Sequence, residues 1–325
     1  MATVKTLEIL TPGPLTTVQD RGRVGFGRFG VPQSGAADTF SIRIGNLLVG
    51  NPENDAGLEI TLMGPTIKAI TEAAVSVTGA DLQPMINGEP IQMWRSHLLR
   101  KGEVLSFKGR RSGCRTYLAI GGGISVPVVM GSRSTNLAAR FGGLDGRPLK
   151  KGDILCSELP AAHLKTEAIT FDCAWIPTYA TEERLRVIAG PQDHHFSDSS
   201  KELFFSSRFR VTPQSDRTGI RLVGPRIEAR EGLEASILSE GVAPGAIQVP
   251  GDAQPIILLG ETVTGGYRKI ATVISADLHL SGQLTPGNTV EFVEVSMDTA
   301  DALMREMEQL IRQFRNKAAP HHLPN

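Results

Sequence analysis

The sequence predicts a mainly β chain in two related halves, with a few short helices and one longer helix near its C-terminus. Three observations predict it. Thirty-five glycines and 20 prolines among 325 residues interrupt the chain too often for a helical protein and read as turns. Short apolar runs recur between those turns at strand length and strand period. Three fragments of the first half return in the same order in the second: Val31-Pro32-Gln33-Ser34 against Thr212-Pro213-Gln214-Ser215, Met63-Gly64-Pro65-x-Ile67 against Val223-Gly224-Pro225-x-Ile227, and the 101–104 turn against 287–290. Each match is short; together they read as a duplicated domain.

The elements follow in order. Residues 7–10 alternate and run into Pro12-Gly13-Pro14, a strand entering a loop. Residues 13–35 read as irregular and Gly-rich. A helix follows, with Ser34 as its candidate N-cap, Asp38 in its first turn and Ala37, Phe40, Ile44, Leu47 and Leu48 on one face. Strands are expected at 58–63, 66–70, 74–78, 104–107 and 116–120, with a tight hairpin turn at Asn87-Gly88. Residues 157–183 read as a connection. Strands resume at 185–189 and continue near 211, 221–223, 246–249, 255–259, 271–274 and 289–295. The last helix is expected over 298–316, with Leu303, Met307, Leu310, Ile311 and Phe314 on one face, and a disordered tail from Ala318. The expected domains are therefore 1–156 and 184–300, joined by 157–183 and followed by the 301–325 helix and tail.

Composition narrows the function. Thirty-four basic and 34 acidic residues balance, which is not the footprint of a nucleic-acid binder. Cys114, Cys156 and Cys173 are scattered, as expected of reduced thiols in a cytoplasmic protein. No signal peptide and no membrane span are expected. Gly25-x-Gly27-x-x-Gly30 spells a dinucleotide fingerprint, but Val31-Pro32 and more loop follow it where a helix would have to start. There is no Walker loop, no G-x-S-x-G elbow and no zinc pattern, so no metal site is expected in the chain itself.

Three segments gather polar groups on Gly/Pro-shaped backbone, where binding groups usually sit. They are Thr16–Arg23 running on to Val31–Asp38; Gly190–Asp193 with Pro213–Leu222; and Ser239–Gly241 with Pro244–Asp252, ending at Gly265–Ala271. The T-T-V-Q-D-x-G-R, G-V-P-x-S-G-A-x-D and P-G-A-I-Q-V-P-G-D runs resemble the carboxyltransferase family that includes the second subunits of allophanate-hydrolase-type proteins, KipA-like proteins and the C-type subunit of 5-oxoprolinase. The resemblance covers about residues 5–300. It implies a pair of cyclophilin-like β-barrel domains. It departs at Arg268, where the family usually has Pro, and at Leu259-Gly260-Glu261-Thr262, which replaces the usual D-x-Q-T.

Family members act on ureas, lactams or ureido groups, a planar C=O beside N–H. Such a group needs a donor and an acceptor side by side; Gln supplies both and Asp accepts from N–H. Gln19, Asp20, Gln248 and Asp252 suit that task. Arg23, Arg217 and Arg221 suit a substrate carboxylate, and Lys269 with the arginines suits a phosphoryl group in transfer. Asp20, Arg217 and Lys269 are thus the candidate catalytic residues; Gln19, Arg23, Ser34, Arg221, Gln248, Asp252 and Tyr267 are the candidate binding residues. Plainer roles compete: Asp20 in a loop ion-pair network, Ser34 as a cap, Gln248 paired to buried backbone, Arg217 and Arg221 four residues apart on one solvated strand face, Tyr267 in packing.

The resemblance implies a hydrolase subunit of an ATP-dependent 5-oxoprolinase, inactive alone. Its partners would be the homologous, KipI-like B-type subunit and the hydrolytic A-type subunit of that enzyme, with ATP, and Mg2+ with it, used by the complex. Carboxyl transfer from carboxybiotin to a urea-like acceptor is the alternative, with biotin supplied by another protein. A regulatory protein that binds the inhibitor of a kinase is the third reading.

Overall fold

The structure, a computed structural model, describes residues 3–158, 168–234 and 236–318. The chain forms two compact units, neither continuous in sequence. The first comprises Met1–Gly22, Thr39–Thr178 and Glu308–Asn325; the second, Arg23–Asp38 and Tyr179–Met307.

The first unit contains β1 (Val4–Thr11), β2 (Leu15–Gln19), α1 (Thr39–Leu48), β3 (Gly57–Thr61), β4 (Thr66–Ala69), β5 (Ala73–Asp81), β6 (Pro84–Ile86), β7 (Glu89–Pro90), β8 (Ser96–Leu99), β9 (Val104–Phe107), β10 (Ser112–Ile120) and β11 (Ile154–Ser157). They make a six-stranded sheet, β11-β1-β4-β9-β6-β7, and a five-stranded sheet, β2-β3-β10-β5-β8. Alternate residues of both sheets, such as Ile9, Ile67, Leu105, Leu58, Val75 and Leu118, build one core. Asn87 and Gly88 both take positive φ, 51° and 87°, the hairpin geometry their sequence predicts.

Helix α1 is buried on nearly every side. Thr78 and Ser76 hydroxyls donate to the carbonyls of Ser41 and Gly45, at 2.7 Å each, which explains small residues among its apolar ones. Ser34 does not cap it. It lies five residues ahead with φ 53°, and Asp38, placed just before the first turn, accepts from Tyr179 and Gln283.

The second unit contains β12 (Glu182–Ala189), α2 (Asp198–Ser206), β13 (Phe209–Val211), β14 (Gly219–Val223), β15 (Glu240–Gly241), β16 (Ala246–Val249), β17 (Ile256–Leu258), β18 (Thr264–Gly265), β19 (Arg268–Val273), α3 (Leu278–Ser281) and β20 (Thr289–Glu294). Seven strands close a barrel in the order β12-β19-β16-β17-β14-β13-β20; parallel pairing of β12 with β20 completes it. Inside, Phe204 stacks on Phe292 at 4.6 Å beside Val187, Ile247 and Ile270. β15 and β18 stand outside the closed sheet as a two-stranded ribbon.

Helix α4 (Met297–Ala318) starts in the second unit and ends in the first. Within the first unit Phe314 meets the Phe171 ring edge-on at 4.9 Å. Glu308 takes both terminal nitrogens of Arg43, whose Nε binds Glu53, and Arg315 holds the other oxygen of Glu53. The tail expected to be disordered lies outside the described residues beyond Ala318.

The sequence boundaries differ from the observed units in three places. Arg23–Asp38 belongs to the second unit because its backbone bonds there, Ser34 N–H to Gly260 C=O at 2.9 Å for example. Residues 168–178 of the expected connection belong to the first, where Phe171 packs on Trp94 and Phe40; residues 159–167 of that connection lie outside the described residues. The expected C-terminal segment is divided, because Met307 closes the second unit and Glu308 reopens the first. Gln33-Ser34 and Gln214-Ser215 therefore fall in one unit. The other two echoes recur locally: a Cβ on Gly64 or Gly224 would strike Phe107 or Phe209, and Gly102 and Gly287 turn at φ 88° and 94°. No described helix is long and apolar enough to cross a membrane.

Candidate functional site

Gln19 and Asp20 lie in the first unit. Gln19 ends strand β2 rather than sitting in a loop, because the β-branched run Thr16-Thr17-Val18 pairs with β3 and is wholly buried. Its Nε2 donates to Thr17 Oγ1 at 3.1 Å and Thr135 C=O at 3.2 Å. Asp20 is 3% exposed. Its Oδ1 accepts from Gly22 N–H and Ser132 Oγ, each at 2.7 Å, and from Ser134 Oγ; its Oδ2 accepts from Arg133 N–H. The carboxylate ties the turn after β2 to the 132–134 segment. Four donors converging on two oxygens leave little lone-pair capacity for a substrate.

The other eight predicted residues lie in the second unit; six of them divide into three places and two stand apart. The first is a cleft of about 500 Å³ lined by Arg23, Arg28 and Gln33, by Gly25 and Gly27, by 241–244, and by Gly260, Thr262 and Val263. Arg23 is 1% exposed, whereas Arg28 is exposed over the Phe29 ring. Gly25 and Gly27 of the G-x-G-x-x-G run thus shape a cleft wall, and the run leads into Val31-Pro32 instead of an α-helix. The lining combines two guanidinium groups, an amide and a hydroxyl and contains no carboxylate, a donor set for an anionic or carbonyl-bearing ligand.

Behind Gly260 lies an ion pair. Arg217 Nη2 donates to Gly35 C=O at 2.6 Å and to Glu261 Oε1 at 3.2 Å, and Ser34 Oγ donates to Glu261 Oε2 at 3.3 Å. Both charged side chains are 9% exposed. Burial pushes the Arg217 guanidinium down from its ordinary value, and Glu261 opposes that shift. Ser34 and Arg217 therefore meet as a strut that fixes the cleft loop to the barrel. Glu261, part of the departure noted in sequence, joins them.

The third place is under the β15–β18 ribbon. Gln248 and Lys269 are register partners on β16 and β19, 4% and 3% exposed. Lys269 Nζ donates to Glu240 Oε1, which also accepts from Gln192 Nε2 at 2.7 Å. These two bonds hold the Glu240 carboxyl below the usual carboxylate range. Tyr267, 43% exposed, follows the ribbon's Gly265-Gly266. Glu240 and Gln192 were legible only as members of polar segments; their pairing with Lys269 depends on strands distant in sequence.

Arg221 and Asp252 stand apart. Arg221 is exposed on β14 while Arg217 is buried in the turn before it, so the two do not share a face. Asp252 is exposed and caps its own turn, accepting from Gln254 N–H at 3.1 Å. Arg268, the other departure, is buried and donates to His195 Nδ1 at 3.2 Å; burial, His194, Arg268 and Arg230 push the His195 imidazole down, toward the neutral form that accepts this bond. Among the described residues no three His, Cys, Asp or Glu side chains gather as metal ligands.

Comparison with known proteins gives a family match: the carboxyltransferase domain, subdomain A and B, over residues 29–294. The chain is 37% identical to the C-type subunit of Escherichia coli 5-oxoprolinase, over 95% of this chain and 97% of that protein. It is 35% identical to the urea amidolyase of Saccharomyces cerevisiae over 95% of this chain but 18% of the relative. The urea carboxylase structure of Kluyveromyces lactis superposes with a TM-score of 0.90 at 33% identity, over 99% of this chain and 30% of that one.

Proposed function

The chain belongs to the carboxyltransferase-domain family, and from that premise we propose that it is a subunit of an ATP-dependent 5-oxoprolinase, which opens 5-oxo-L-proline to L-glutamate. The observation that carries this reading is the end-to-end correspondence with the C-type subunit of 5-oxoprolinase, 95% of one chain against 97% of the other. The second-unit cleft supports it chemically. An unstrained lactam needs activation, and phosphorylation of its oxygen by ATP supplies it. Arg23 and Arg28 offer positive charge to the moving phosphoryl group or the lactam oxygen, and the Gln33 amide offers a donor and an acceptor to the lactam edge. Because the cleft lining carries no carboxylate, ligands for Mg2+ would come from the nucleotide and from a partner subunit. Arg217, Glu261 and Ser34 position the loop. Ring opening by water is assigned to the partners in the cytoplasm, the homologous B-type subunit and the hydrolytic A-type subunit.

A urea-like acceptor carboxylated from carboxybiotin is the second reading, favoured by the 35% identity to urea amidolyase across the same residues. Its donor–acceptor needs are the same. One reconstitution separates the two: the chain is mixed with its candidate partner subunits, and ATP-dependent glutamate release from 5-oxoproline is measured. Glutamate release by the mixture but not by the single chain is expected. Equal release by the single chain, or turnover of urea with carboxybiotin in place of 5-oxoproline, overturns the proposal.

A further inference from the structure

The barrel carries a polar niche on its outer face. Gln248 and Lys269 lie opposite each other on β16 and β19. Their neighbours Ile247, Val249 and Ile270 belong to the barrel core, so these two side chains leave the sheet on the other face. An outward-facing Lys would ordinarily be solvated; this one is 3% exposed. The ribbon covers it. An ideal Cβ on Gly265 would fall 2.2 Å from Gln248 Nε2, so the ribbon lies as close as a glycine permits.

One donor in the niche goes unused. The niche holds the Lys269 ammonium and the Gln192 and Gln248 amide nitrogens. Gln248 Nε2 is fully buried and, among the described residues, meets no hydrogen-bond partner. Glu240 Oε1 is shared by Lys269 Nζ and Gln192 Nε2, and Gln192 Oε1 accepts from the Lys269 backbone N–H at 3.1 Å. Glu240 reaches in from the solvent side with its side chain 44% exposed. It rides on a strand of two residues, paired with another of two.

Three neighbouring N–H donors, one charged and one unused, suit a carboxylate. We propose that this niche binds the carboxylate of a small-molecule ligand, and that Glu240 on the β15–β18 ribbon is its built-in occupant, displaced when the ligand enters. The exchange keeps one negative charge beside Lys269, and the incoming carboxylate can also take the Gln248 N–H bond that Glu240 leaves unmade. Glu240 swings into water, which its present exposure already allows. Gly241 and Val242, the next residues in the chain, line the cleft, so the ligand's body lies toward the cleft. Taking a lactam acid as that ligand rests on the proposed function; the preference for a carboxylate does not.

The test is calorimetric titration of the intact chain with 5-oxo-L-proline, acetate, and 2-pyrrolidinone, which is the lactam without its carboxylate. Glu240→Gln removes the internal competitor's charge at a half-exposed position. It should tighten binding of both carboxylates about tenfold, the worth of one charge-assisted hydrogen bond, and leave 2-pyrrolidinone unchanged. Adding Lys269→Met should abolish the gain. Should that double variant fail to fold by circular dichroism, Gln248→Leu in the Glu240→Gln background serves instead and should weaken carboxylate binding. A gain for acetate without one for 5-oxoproline supports the niche and counts against the lactam reading. Unchanged or weaker acetate binding by Glu240→Gln, an equal gain for 2-pyrrolidinone, or a gain that survives loss of Lys269 overturns the proposal.

Discussion

Asp20 in the first unit and Lys269 in the second are both nearly fully buried charges beside Gly-rich turns, and they do opposite things with their hydrogen bonds. Around Asp20 four protein donors meet one carboxylate, and the result is a closed knot between two segments more than a hundred residues apart. Around Lys269 the pairing is incomplete: one amide nitrogen is left over, and the carboxylate in use is half exposed on a ribbon. Burial alone therefore does not separate a scaffold residue from a binding residue. On the proposal above, the unused Gln248 N–H marks the binding side, since a buried polar group is costly unless it is paired.

That contrast can be broken. The largest expected effect is at the Arg217–Glu261 pair, which belongs with the closed kind. Arg217→Ala should cost about 3–5 kcal/mol in urea unfolding, because it leaves the buried Glu261 charge without its cation. A folded variant of unchanged stability with altered turnover would instead move Arg217 to the open kind. Asp20→Ala comes next, at about 2–4 kcal/mol, since it orphans several buried donors at once; Asp20→Asn should cost less, as one acceptor oxygen remains. Lys269→Met should cost no more than about 1 kcal/mol, because Glu240 can return to water and a long apolar chain fits the burial. If it costs as much as Asp20→Ala, the niche is a second knot and the contrast fails.

The smallest effect sharpens the comparison through pH. Hydrogen bonds from Arg43 hold the Glu308 carboxyl below its ordinary 4.5, and Lys269 does the same for Glu240. A carboxyl depressed in the folded state contributes stability above its unfolded value, and that contribution is lost as pH falls through the folded one. The stability advantage of the unaltered protein over Glu308→Gln, followed by chemical unfolding, should thus be constant near neutrality and shrink below about 4.5. Glu240→Gln should show the same sign with a smaller amplitude, because the Glu240 carboxylate is itself more exposed than that of Glu308.

Much of the barrel was legible in sequence. Runs such as 246–249 and 289–295 alternate between barrel core and outer face, and a period of two needs no knowledge of partners. Strand β2 was missed because Gly and Pro on both sides outweighed its Thr-Thr-Val run, and α2 because its Ser197 cap sits in a polar stretch without a clear apolar stripe. The candidate site was legible as segments but not as constellations. Gln192, Glu240 and Lys269 each stood in a polar run, yet their convergence depends on which strands pair, and short strands of similar composition do not specify that locally. The sequence pairing of Arg217 with Arg221 failed for a related reason. A spacing of four places residues on one face only within a strand, and Arg217 lies in the turn before β14 begins.

The interleaving of the two units bears on how the protein is made. The chain crosses between them four times, after Gly22, Asp38, Thr178 and Met307. On the ribosome, Arg23–Asp38 emerges early and must wait for Tyr179 and beyond before Gly260 can accept from Ser34 or Arg217 can reach Gly35. The first unit in turn lacks Glu308, Phe314 and Arg315, the partners of Arg43, Phe171 and Glu53, until the last turns of α4 are synthesised. Neither unit can fold to completion as a nascent domain, and neither can be cut out as one uninterrupted fragment. Such a topology delays its long-range closures to the end of translation, and the closing turns of α4 decide when the first unit is finished.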